Sequence, residues 1–123
     1  MEWYINPAQI NNSIHQISDI IIQDISKERK NDVALIFEEA YVNIVKYSYP
    51  SSQKKPLRIK WIGDPIYKMT FIDDGIAFDP TVYNVGIPDG SQIGGHGIRL
   101  MRSLSKKMSY QRIAGKNILE IWV

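Results

Sequence analysis

A chain of 123 residues without cysteine has room for one folded domain, and it offers no disulfide, no thiolate metal site and no cysteine nucleophile. Its composition is 44% hydrophobic and 23% charged, which is typical of a globular domain and excludes a disordered or fibrous chain. The net charge of +2 is too small to indicate nucleic-acid binding, although residues 1–50 carry −3 and residues 51–123 carry +5.

The beginning of the chain predicts a short strand and a long helix. Residues 2–5 are apolar and aromatic, which favours a strand, and Asn6 and Pro7 are residue types that begin helices. Isoleucines then recur every three or four residues from Ile10 to Ile25, which predicts the buried face of an amphipathic helix.

A second helix is predicted after the polar run at residues 26–31, with Asp32 as its expected cap. It should end near Tyr49, because the residue before a proline disfavours helical geometry. Its predicted apolar stripe consists of Val33, Ile36, Phe37, Ala40, Tyr41 and Ile44.

The second half of the chain predicts four strands and one helix. Alternating apolar and polar residues predict strands at residues 57–61, 66–72, 107–113 and 117–123. Residues 73–97 are rich in Gly, Asp and Pro, and a loop of that length in a small domain is usually a functional lid or disordered. A helix is predicted over residues 97–104. The order of the predicted helices and strands along the chain indicates an α+β two-layer sandwich, with helices on one face of a mostly antiparallel sheet.

Three polar side chains lie at the edge of the apolar stripe of the second helix. Glu39 and Asn43 are four residues apart, which places them on neighbouring turns of one face, and Lys46 lies beside them. A carboxylate, an amide oxygen and an ammonium group in this arrangement can activate a hydroxyl, hold a hard cation and contact a phosphate. An ordinary charged border of an amphipathic helix has the same pattern, so both interpretations stay open from the helix alone.

Asp73 follows a predicted strand directly, and Gly75 comes two residues later. A carboxylate at a strand end, followed by small residues, lets a planar ligand approach the backbone while the carboxylate accepts from an amino group. An Asp-Gly turn without a ligand gives the same residues.

A glycine-rich stretch formed by Gly94, Gly95, His96 and Gly97 opens the third helix. Free N–H groups and the positive end of the dipole make such a helix N-terminus a candidate anion site. A hinge at the end of the long loop is the alternative. Neither a Walker phosphate loop nor a dinucleotide-binding fingerprint is present.

The order of these motifs resembles the GHKL ATPase superfamily, which includes gyrase, Hsp90, histidine kinases and MutL. The phrases at residues 39–47 and 95–103 look most like those of anti-sigma-factor serine/threonine kinases. The resemblance covers essentially the whole chain, so we expect residues 1–123 to form a single ATP-binding domain of that fold.

The resemblance implies roles for individual residues. Glu39 would be the general base, Asn43 the ligand of a Mg²⁺ ion, and Lys46 a phosphate contact. Asp73 would accept from the adenine amino group, and Gly75 would allow the ring to approach closely.

The remaining expectations concern the glycine-rich segments. Gly94, Gly95 and Gly97 would hold phosphates with their backbone N–H groups, with His96 among them, and residues 79–94 would form a lid over ATP.

Two departures from the family pattern stand out. Ala77 replaces a glycine whose extra space serves the nucleotide, and no late-strand threonine is evident in residues 117–123.

By resemblance, the function is Mg-ATP-dependent phosphorylation of a STAS-domain anti-anti-sigma protein, together with sequestration of a sigma factor or another regulator. A nucleotide-responsive binding module without transfer activity, or an interaction domain with a degenerate pocket, are the alternatives. We expect a cytoplasmic protein without a nucleic-acid or membrane partner, because no signal peptide or membrane-spanning run is evident. A homodimer is compatible with the sequence.

Overall fold

A computed structural model describes residues 1–6, 10–49, 56–63, 65–82 and 96–123 of the chain. Its elements, in chain order, are β1 (Glu2–Ile5), α1 (Ile10–Gln23), α2 (Lys30–Asn43), a π-helical turn (Ile44–Ser48), β2 (Leu57–Ile62), β3 (Lys68–Asp73), α3 (His96–Leu104), β4 (Lys107–Ile113) and β5 (Lys116–Trp122).

The five strands form one sheet in the order β1-β2-β3-β5-β4, and every neighbouring pair is antiparallel. Alternate residues of β2 and β5 are buried, as expected for strands with one face in a core. They share a single apolar core with the helices, in which the Phe37 ring of α2 lies 5.5 Å from the Phe71 ring of β3. The predicted α+β sandwich is therefore confirmed.

Both predicted helix faces are buried. The described isoleucines of the first face are Ile14, Ile17, Ile21 and Ile25, and all six residues predicted for the stripe of α2 are buried as well. Asn6, the predicted cap of this helix, is described and exposed, whereas Pro7 lies outside the described part of the chain.

The start of α2 differs from the prediction. The N-cap is Arg29, which makes no side-chain capping bond, and the helix begins at Lys30. Asp32 is therefore not a cap. It occupies the first turn, where a carboxylate interacts favourably with the helix dipole, and it lies 3.9 Å from the Arg29 guanidinium.

The C-terminal end of the second helix contains a feature that periodicity does not reveal. After Asn43 the chain continues as a π-helical turn, which closes with a bond from the Tyr49 N–H to the Ile44 carbonyl at 3.2 Å. A π turn accommodates one more residue than an α turn, and such turns occur often at functional sites. The predicted end near Tyr49 holds, but the change in winding before it alters which way Tyr47 and Ser48 face.

Strand β3 begins at Lys68, two residues later than predicted, and Ile66 is exposed.

Within the described ranges, no helix is both long enough and apolar enough to cross a bilayer.

Candidate nucleotide site

A small pocket lies at the end of the sandwich where β3 ends and β5 begins. Asp73 and Asn117 are partners in the ladder between these strands, and α2 with its π turn closes the pocket from the helical layer. The described lining residues are Ala40, Asn43, Ile44, Ser48, Asp73, Phe78, Pro80, Tyr110, Asn117 and Leu119.

Asp73 is a buried carboxylate with only 3% of its surface exposed. Its Oδ1 accepts from the Gly75 N–H at 2.8 Å and from Asn117 Nδ2 at 2.9 Å. Burial raises the pKa of Asp73, and these two bonds together with the Arg112 charge oppose that rise. Both bonds end on Oδ1, and no hydrogen bond from the described residues to Oδ2 is seen.

Asn117 is a site residue that the sequence reasoning missed. It is buried at the beginning of β5, on the same inward face as Leu119 and Ile121. Asn117 could have been recognised in the sequence, because it is a polar residue at a position of β5 where strand alternation predicts a buried apolar residue. Asn117 lies in the last strand, where the family pattern has a threonine that is not evident in residues 117–123.

Asn43 lines the same pocket from α2 and is 6% exposed. Its Nδ2 has no hydrogen-bond partner among the described residues. A buried polar group without a partner costs about 1–3 kcal/mol, so an amide in this position indicates a site where a ligand completes the bonding.

Glu39 lies one turn before Asn43 and contacts the beginning of α3. A Cβ atom placed on Gly97 would lie 1.9 Å from Glu39 Oε2, so any larger residue would displace this carboxylate from its position. The fold therefore brings the acidic side chain and the glycine-containing helix N-terminus together, although 58 positions separate them along the sequence.

Gly75 is required for a different contact from the one expected. A Cβ atom there would lie 2.2 Å from the carbonyl oxygen of Ser48, and the next N–H, of Ile76, donates to that same oxygen at 2.8 Å. The glycine thus lets the segment after β3 pack against the π turn. The approach of a planar ring at Gly75 stays a prediction.

Lys46 and Ala77 lie outside the buried part of the site. Lys46 is exposed, and its Nζ lies 5.2 Å from the centre of the Tyr47 ring. Ala77 is exposed too, and the described pocket lining does not include it. Its extra methyl group therefore does not fill the described pocket.

Aromatic rings make the pocket narrow. The Phe78 ring stacks on the Tyr47 ring, with centroids 4.6 Å apart and planes 14° apart. The space available to the centre of a water-sized sphere is about 10 Å³, which is room for about one water. Phe78 is one of the residues that bound this space beside Asp73.

The remaining predicted site residues lie at or beyond the limits of the described chain. Gly94 and Gly95 fall outside it, as do residues 83–94 of the lid predicted at residues 79–94. His96 is the first residue of α3, and its side chain is not among those described.

The described donor set fits a magnesium ion in one respect. No group of three or more His, Asp and Glu side chains within the described ranges could hold a metal ion by itself. Magnesium in nucleotide sites takes only one or two protein ligands and completes its shell with phosphates and water. Asn43 could serve as such a ligand only through Oδ1, because Mg²⁺ takes oxygen ligands. The unpartnered Nδ2 is a hydrogen-bond donor and fits a phosphate oxygen instead.

Comparisons with known proteins agree with the fold. The family model described as "Histidine kinase-like ATPase domain" matches residues 5–122. The chain matches none of the curated proteins. A similar solved structure is the histidine kinase domain of a blue-light activated histidine kinase from Erythrobacter litoralis EL346, with 18% identity and a TM-score of 0.53. The match covers 93% of this chain and 64% of that chain, so this chain shares the fold and spans about two thirds of the other's length.

Proposed function

The chain belongs to the histidine kinase-like ATPase domain family, and from that premise we propose that it is a serine/threonine protein kinase of the anti-sigma-factor type. Membership confirms the resemblance to GHKL ATPases and implies that the chain binds ATP. The proposed substrate is a hydroxyl group of a STAS-domain protein, and the proposed sequestered partner is a sigma factor or another regulator. The observation that best supports a nucleotide at this site is the buried Asn43 amide, which lines the same pocket as Asp73 and whose Nδ2 has no partner among the residues that the structure describes.

Glu39 is the proposed general base, because its carboxylate lies against the first turn of α3, where N–H groups can receive a phosphate. In the proposed transfer, the substrate hydroxyl oxygen bonds to the γ-phosphorus and the bond from that phosphorus to the leaving ADP oxygen breaks. The hydroxyl proton passes to the Glu39 carboxylate. Positioning and charge neutralisation supply most of the rate in such transfers, so one carboxylate suffices.

The other residues hold the nucleotide. Asp73 Oδ2 is the proposed acceptor for the adenine amino group, and Asn43 is the proposed protein ligand of magnesium. A bound magnesium ion would neutralise phosphate charge. Lys46, exposed on the turn after Asn43, is the proposed contact for a phosphate oxygen.

Transfer of a labelled γ-phosphate to candidate STAS-domain proteins tests the proposal. Glu39→Gln keeps the size of the side chain and removes its ability to take a proton. We expect it to lower the transfer rate by about 100-fold or more, while ATP affinity changes little. Glu38→Gln is the matched control, because Glu38 is the neighbouring residue on α2 and is exposed.

A wild-type rate of transfer in Glu39→Gln would remove Glu39 from the mechanism. If the wild-type protein binds Mg-ATP and labels no STAS-domain protein, the kinase proposal is wrong.

The narrow pocket favours a second candidate, a nucleotide-responsive binding module without transfer activity. Phe78 lines the pocket and stacks on Tyr47, so a purine that displaced this ring would by binding alone change the surface around residues 76–80. This candidate predicts nucleotide-dependent capture of a partner protein that stays unlabelled in the same assay.

A further inference from the structure

Asn117 uses the full hydrogen-bonding capacity of a primary amide. Its Nδ2 donates to Asp73 Oδ1 at 2.9 Å and to the Ile76 carbonyl at 2.7 Å. Its Oδ1 accepts from the Tyr110 hydroxyl at 2.5 Å and from Arg112 Nη1 at 3.0 Å. An amide bonded on all four positions has one satisfied orientation, so it fixes the groups that it contacts.

The amide fixes Asp73 in particular. Two donors, the Gly75 N–H and Asn117 Nδ2, hold Oδ1, which sets the rotation of the carboxylate. Oδ2 is then the acceptor that remains for a donor on a ligand, since no described residue donates to it.

The same network holds the wall of the pocket. Arg112 Nη1 also donates to the Gly75 carbonyl at 2.7 Å, and the Tyr110 hydroxyl is hydrogen-bonded to the backbone of Phe78. Segment 75–78 is therefore attached to the hairpin of β4 and β5 through side chains that meet at Asn117.

We propose that Asn117 is the positioning residue that makes this site prefer a 6-amino purine, because it holds Asp73 Oδ2 as a fixed acceptor. The inference rests on the proposed nucleotide site. A 6-amino purine presents a donor to Oδ2, whereas a 6-oxo purine presents an acceptor to a buried carboxylate. Sites built around one hydrogen-bonding pattern reject the opposite pattern strongly, because buried polar groups are then left unpaired.

The test compares the dissociation constants of ATP and inosine triphosphate, both with magnesium. The wild-type protein is expected to prefer ATP, and Asn117→Ala is expected to lower that preference by about tenfold or more. A purely structural role for Asn117 predicts that both affinities fall by the same factor, and an unchanged preference would overturn the inference.

Two further variants keep the test decisive if Asn117→Ala does not fold. Asn117→Thr supplies a single hydroxyl donor and is expected to retain more of the preference for ATP than alanine does. Tyr110→Phe removes only the hydroxyl that donates to Asn117 and is expected to lower the preference about two- to fivefold. Gln111→Ala, an exposed neighbour on β4, is the matched control and should leave the preference unchanged. A wild-type preference in Tyr110→Phe would count against the network.

The outcomes also separate this inference from the proposed function. Failure of the wild-type protein to bind Mg-ATP would overturn both. Tight ATP binding with the same preference in wild type and in the Asn117 and Tyr110 variants would overturn the positioning role alone.

Discussion

At Gly97, a single methyl group would separate two parts of the proposed site. The residue lies in the first turn of α3, and its missing side chain leaves the space that the Glu39 carboxylate fills. A carboxylate is also favoured there by the dipole of the helix. A larger residue at this position would therefore collide with the Glu39 carboxylate. A substitution here is expected to affect catalysis without affecting folding.

Gly97→Ala is expected to preserve the fold and to impair turnover. The new Cβ would lie 1.9 Å from Glu39 Oε2, and the end of a flexible side chain can move away at little cost in stability. A displacement of about 1 Å in a catalytic group can lower a rate about 100-fold. Single-turnover ATP cleavage and thermal unfolding, with the exposed Ser103→Ala as control, check this. Full activity in Gly97→Ala would contradict the role given to the contact.

Asp73 predicts a pH dependence of stability. Burial raises the pKa of Asp73 above its ordinary value of 3.8, so the folded protein keeps this proton to a higher pH than the unfolded chain does. The contribution of Asp73 to the unfolding free energy is therefore largest below pH 3.8 and falls as the pH rises through the raised pKa.

Asp73→Asn removes this dependence while leaving an oxygen that can accept from Gly75 and Asn117. The unfolding free energy of Asp73→Asn minus that of wild type should therefore increase as the pH rises from 3.8 through the raised pKa of Asp73. Urea denaturation at several pH values measures the difference. A difference that stays constant, or that falls with rising pH, would show that the carboxylate is not destabilised by its burial.

At the level of elements, α3 is connected to the pocket wall by one side chain. Arg102 donates from Nε at 2.8 Å and from Nη2 at 2.5 Å to the carbonyl of Pro80, a buried residue that lines the pocket. The helix that carries Gly97 is thus bonded to the segment that follows Phe78. Any movement of that segment must break this connection or carry α3 with it.

Arg102→Ala is expected to loosen the segment at residues 78–82. Hydrogen bonds to a charged donor contribute about 1.5–3 kcal/mol, so amide hydrogen exchange in this segment should accelerate about tenfold or more. Arg99→Ala, on the same helix and exposed, is the control. Equal exchange in the two variants would show that Arg102 does not restrain the segment.

The elements also show how far the sequence could predict the fold. The spacing of apolar residues predicts α1 and α2, and strand alternation predicts β2, because burial of an apolar face determines both periods. The π turn after Asn43 was missed because it changes the winding without changing the apolar pattern. The Asp32 cap was wrong because the helix begins at Lys30, three residues earlier than that cap implies, which places Asp32 in the first turn.

At the scale of the whole molecule, the site depends on contacts between distant parts of the chain. The sequence could nominate Glu39, Asn43 and Asp73 from motif order, but it could not show that Glu39 meets Gly97. Asn117 could not be predicted as a partner of Asp73, because that pairing depends on the register between β3 and β5. The sheet order brings these residues to one end of the sandwich, beneath α2.

The central claim, that this end of the sandwich binds Mg-ATP through Asn43, is tested most directly by calorimetric titration of Asn43→Ala. The variant loses the amide whose Nδ2 has no partner among the described residues, so its unfolding free energy should stay within about 1 kcal/mol of wild type. Asn31→Ala, exposed on the same helix, is the control. The account predicts that Mg-ATP binds wild type and Asn31→Ala, and that Asn43→Ala loses about tenfold or more in affinity. Equal affinity in all three proteins would contradict it.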